Sequence, residues 1–118
     1  RLGRLPFHLQ LFDGTAKTIL FTETEGLLQA HADYVKLNTI SPFTMLDYLH
    51  SNDIQSVIIE GGTTLLQHFI DAELWDEARV FTGDKLFEKG VNAPKFSAQC
   101  STTEWYQETK LDYFYNCM

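Results

Sequence analysis

The stretch "SVIIEGGTTLLQHFID", Ser56 to Asp71, decides how this chain is read. Its first residues, "SVIIE", are rich in β-branched side chains and too few for a helix. They predict a short buried strand ending at Glu60. From Thr63 the period changes. Leu65, Leu66, Phe69, Ile70 and Leu74 fall on one stripe, with Gln67, His68 and Asp71 off it, so "TTLLQHFIDAELW" reads as an amphipathic helix. Gly61 and Gly62 lie between strand and helix. Two explanations stay open at this point: a tight turn with no further role, or a ligand seat. The second has a physical basis. Ligands of open α/β sheets lie beyond the carboxyl ends of strands. A residue without Cβ lets a ligand approach its backbone. The first amides of a helix lack internal partners and carry partial positive charge, which favours phosphate. Thr63 and Thr64 add hydroxyls that cap the helix or bond a phosphate oxygen. The pattern is neither GxGxxG nor GxxxxGK[ST], so it is not an ordinary dinucleotide fingerprint or P-loop.

Further strands flank this unit. "TILFTE" (Thr18 to Glu23) and "YVKLN" (Tyr34 to Asn38) are short β-type runs. "SPFTMLDYLHSND" follows, with Ser41 as helix cap and Pro42 at the first helical position. Phe43, Leu46 and Leu49, with Met45 beside them, define its apolar face. "EARVFTG" (Glu77 to Gly83) predicts a strand, and residues 84–96 a loop. The segments from about Ala98 to Tyr106 and from Lys110 to Asn116 predict an antiparallel hairpin. "RLGRLPFHLQLFDGTAK" at the start reads as a long connection. Strands alternating with helices predict an α/β fold with a partly parallel sheet, made mixed by the closing hairpin.

The chain has 118 residues, 44% of them hydrophobic, which suits one globular domain. Its net charge of −7 argues against nucleic-acid or anionic-membrane partners, since both present phosphate charge. No apolar run approaches the ~20 residues of a membrane span. Cys100 and Cys117 form no close pair; reduced thiols in a cytoplasmic protein are the simplest reading, with a bridge left open. His8, His31, His50 and His68 show no HxxxH spacing or cysteine pairing, so no metal site is expected. Asp76 and Glu77 read as a turn and strand start or as a catalytic pair. Tyr113, Phe114 and Tyr115 alternate on a strand, where packing accounts for them.

At "SVIIEGGTTLLQHFIDAELWDEARVFTG" the sequence resembles the C-terminal reductase domain of the bifunctional riboflavin-biosynthesis deaminase/reductase. The likeness rests on the strand ending in Glu-Gly-Gly, the amphipathic helix, the Trp75-Asp76-Glu77 turn and the next strand. Phe87, Gly90 and Pro94 of the loop and "LDYFYN" extend it over nearly the whole chain. The resemblance implies a dihydrofolate reductase-like α/β fold: a mixed, mostly parallel sheet flanked by helices, with a C-terminal antiparallel hairpin. It implies NADPH-dependent reduction of the ribosyl group of 5-amino-6-(5-phosphoribosylamino)uracil to ribityl. By position, Glu60 matches a substrate-contacting glutamate. Gly62, Thr63, Thr64, Leu65, Leu66, Gln67 and His68 match an NADPH-binding segment, and Arg1 falls near another cofactor contact. No residue is identified as the proton donor.

The family's reductase domain starts with about a hundred further residues, and its deaminase half carries zinc. Neither is in this sequence. Residues 1–118 are therefore expected to be the C-terminal part of a single reductase domain, inactive alone, and either to associate with another copy or to rearrange. The competing expectations are a non-catalytic oligomerisation module of the parent enzyme, or a related pteridine or pyrimidine reductase.

Overall fold

The computed structural model describes residues 6, 8–25 and 31–116. The chain divides into two compact units, residues 1–55 and 56–118.

In the first unit a 3-10 turn, Gln10–Phe12, buries Phe12. Strands β1 (Thr18–Thr22) and β2 (Ala32–Lys36) follow and pair in parallel, Thr18 beside Ala32 through Thr22 beside Lys36. The second strand thus begins two residues earlier than the sequence predicts. Helix α1 (Pro42–Ser51) starts as expected at Ser41. The Ser41 Oγ accepts from the Thr44 amide at 3.2 Å, and the Thr44 hydroxyl accepts from the Ser41 amide at 3.0 Å. This reciprocal box satisfies two amides that the helix cannot. Tyr48 of α1 meets Phe21 of β1 edge-to-face, 5.5 Å between ring centres. Phe43, expected on the apolar face, is 62% exposed. It lies in the first turn, and Leu46, Leu49 and Met45 are the half-buried residues instead.

The second unit opens with residues 56–62, which form no ladder. The buried strand expected for "SVIIE" is not formed: Ile58 is 84% exposed and only Ile59 is half-buried. A β segment needs a neighbour to pair its amides and carbonyls, and none of the described residues pairs with this one. Helix α2 (Thr63–Asp71) buries Phe69. It stops short of the expected Trp75. Both helices close alike. In α1 the Ile54 amide donates to Leu49 O and Asp53 to His50 O; in α2 Leu74 donates to Phe69 O and Glu73 to Ile70 O. These are Schellman closures, which require a left-handed residue. Asp53 (φ 62°) and Glu73 (φ 56°) occupy those positions, where glycine is usual.

After α2 come β3 (Glu77–Thr82), β4 (Cys100–Tyr106) and β5 (Thr109–Tyr115), in the antiparallel order β3-β5-β4. The predicted hairpin is present, with a register shift between Cys100 and Thr102. Leu111 and Asp112 of the central strand β5 are buried, whereas every residue of the edge strand β4 is exposed. Phe96 packs edge-to-face on both Trp75 and Phe114. The α/β class is as expected, with one parallel and two antiparallel ladders among the described residues.

Candidate functional site

The expected site lies at the start of α2. Gly62 is its N-cap, with extended backbone and no side chain to accept from the helix. The first intrahelical bond from the cap side is Leu66 N–H to Gly62 O, 3.1 Å. The amides of Thr63, Thr64 and Leu65 therefore have no acceptor within the helix. The two glycines differ. A Cβ on Gly61 would stand 2.4 Å from Leu65 Cδ2 and 3.1 Å from Leu65 Cβ. A Cβ on Gly62 would meet nothing within 4 Å. Gly61 is thus a packing glycine, while Gly62 faces open space at the amide-bearing end of the helix. A phosphate can approach that backbone closely.

The side chains of the segment divide in the same way. Thr64 and His68 are exposed, Leu66 is half-buried, and Leu65 lies over Gly61. The Thr63 hydroxyl donates to Asn92 O at 2.8 Å. Gln67 Nε2 donates to Asp71 Oδ1 at 2.8 Å and to Lys95 O at 2.9 Å, and Gln67 Oε1 accepts from the Lys95 amide at 2.8 Å. Both amide hydrogens of Gln67 are committed within the protein. Glu60, two residues before the cap, is exposed. Arg1 and Cys117 lie outside the described residues, and Cys100 is exposed.

Asp76 and Glu77 serve the architecture. Asn116 donates its amide to Asp76 O at 2.9 Å and its Nδ2 to Trp75 O at 3.0 Å, which stitches the turn to the end of β5. Glu77 opens β3 and pairs with Arg79; that bond raises the guanidinium pKa above its ordinary value. Glu104 accepts from Tyr106 at 2.6 Å, and this hydrogen bond holds the phenol pKa up.

At the carboxyl end of β1 the polar side chains bond within the protein. Thr22 there is buried, and its hydroxyl donates to Thr24 O at 2.9 Å. Glu23 accepts from the Ile40 amide at 2.8 Å. A concave space of about 330 Å³ beside Gly14, Lys17, His31 and Asp33 lies at the opposite, amino ends of β1 and β2, and a Lys17–Asp33 ion pair of 3.3 Å lines it. All of its lining residues belong to the first unit. Among the described residues no three His, Cys, Asp or Glu side chains are grouped to hold a metal, and no helix is long and apolar enough to cross a membrane.

The α/β class with parallel and antiparallel ladders is that of a dihydrofolate reductase-like reductase fold, and the class is set by likeness to a solved structure. The fold is similar to that of a diaminohydroxyphosphoribosylaminopyrimidine deaminase/5-amino-6-(5-phosphoribosylamino)uracil reductase from Thermotoga maritima, with a TM-score of 0.78 and 25% identity. That likeness covers 92% of this chain and 33% of the other, so the chain spans about a third of the length of that protein. The chain belongs to the RibD C-terminal domain family, whose model matches residues 1–99. No curated protein matches it.

Proposed function

We propose that this chain is part of an NADPH-dependent 5-amino-6-(5-phosphoribosylamino)uracil reductase of riboflavin biosynthesis, acting in the cytoplasm as a homo-oligomer. Family membership supports the reductase reading. The observation that carries the cofactor reading is Gly62, open to approach where α2 presents its unpartnered amides. These features fit a phosphate of NADPH. Gly62 and the amides of Thr63, Thr64 and Leu65 would hold it, with the Thr64 hydroxyl and His68 exposed beside them. NADPH held there would supply the hydride, with a proton from water, for reducing the ring-opened ribosyl group to ribityl. The chain's own task is alignment: the helix start fixes a phosphate, and Glu60 accepts from a substrate hydroxyl.

Titration of the chain with NADPH, followed by fluorescence, tests the reading. Saturable binding that Gly62→Val weakens at least tenfold supports it. No binding by the unaltered chain would sink the cofactor site at Gly62 and favour the oligomerisation module, for which the exposed Leu86, Phe87 and Val91 speak.

A further inference from the structure

The residues 92–96 that cross the start of α2 are held there by side chains of the helix itself. Thr63 donates to Asn92 O, and Gln67 both donates to Lys95 O and accepts from the Lys95 amide. Phe96 then wedges between Trp75 and Phe114. The attachments are specific. A glutamine amide has two donor hydrogens, and those of Gln67 already point at Asp71 and Lys95. Neither hydrogen is left for a ligand, and Oε1 already accepts from the Lys95 amide. Thr63 adjoins Gly62, so Asn92 stands at the edge of the open helix start.

We infer that Gln67 is a positioning residue: with Thr63 it latches the strap Asn92–Phe96 across the start of α2 and so builds one wall of the anion site at Gly62. The inference rests on the cofactor reading above. It reassigns Gln67 from contact with the cofactor to ordering of the loop beside it. A fixed wall is preorganisation. A loop already ordered costs no entropy when the ligand arrives, so the latch strengthens binding without touching the ligand.

Two variants of the whole chain test this, Gln67→Leu and Thr63→Val, each measured by amide exchange of residues 91–97 and by NADPH titration. Losing the latch bonds should speed exchange at Lys95 about tenfold and weaken NADPH by a similar factor, with the melting temperature nearly unmoved. Because both residues act through one strap, the double variant should lose no more affinity than the worse single variant. Unchanged exchange overturns the latch. Faster exchange with unchanged NADPH affinity overturns its service to the site, as do additive losses. If the unaltered chain binds no NADPH, the cofactor reading fails and the wall with it; the exchange data still show separately whether the latch exists.

Discussion

Gln67 and Lys95 pair twice, side-chain amide to main-chain amide, with both bonds between 2.8 and 2.9 Å. The arrangement copies the exchange of two bonds between facing strand residues, using one side chain in place of a strand. It gives a segment without secondary structure a fixed place on a helix.

The two glycines should separate by phenotype. Gly61→Ala puts a methyl into Leu65, and we expect a loss of about 1–3 kcal/mol in stability. Gly62→Ala meets open space and should unfold within roughly 1 kcal/mol of the parent. Urea melts of both variants decide it; equal losses would refute the distinction.

Asp53→Gly and Glu73→Gly should stabilise the chain, each by about 0.5–1 kcal/mol. Left-handed backbone strains a residue with Cβ by about 1–2 kcal/mol, partly offset by the entropy glycine loses on folding. An unchanged or lower melting temperature for both would contradict the assigned closures.

Ser41→Ala should destabilise by about 1 kcal/mol, since it removes the Oγ that accepts from the Thr44 amide, while the bond from the residue 41 amide to the Thr44 hydroxyl stays available. Ser41→Asp should recover most of the loss, because aspartate accepts from the same amide. Far-UV circular dichroism against temperature measures both.

Asp112 predicts a pH dependence. Its hydrogen bond from Lys110 at 2.6 Å, then that from Thr103 at 2.7 Å, hold its carboxyl below the usual carboxylate range. A folded pKa below the unfolded value means the folded chain binds fewer protons. The contribution to stability is therefore complete above the unfolded pKa, about 3.9, and disappears as pH falls through the folded value. Asp112→Asn should remove this part of the acid sensitivity. Denaturant midpoints from pH 6 to 2 that fall in parallel for the two proteins would rule the pairing out.

Much of the fold is legible from local chemistry. Ser41-Pro42 announces the start of α1 because cap and first turn are local events. The alternation in "KLDYFYN" announces β5 because strand period is local too. "SVIIE" misled because its composition reports a taste for burial, and burial needs a partner that the described residues do not supply. The glycine pair left turn and ligand seat both open and did not reveal how the two glycines differ. Only the placement of Leu65 against Gly61, four positions along the chain, tells one glycine from the other. The bonds of Gln67 were hidden for a similar reason, since Lys95 is 28 positions away.

The strand order β3-β5-β4 carries a consequence for synthesis. The partner that zips β3 into the sheet is β5, and the intervening loop and all of β4 must be made first. At roughly 5–20 residues per second, "EARVFT" waits on the order of seconds with its amides and carbonyls unpaired. During that interval Val80 and Phe81 sit on an open strand edge, the form of chain most easily captured by a neighbour. A ribosome carrying this sequence therefore has a brief, defined window of vulnerability, and it closes only when "KLDYFY" has emerged.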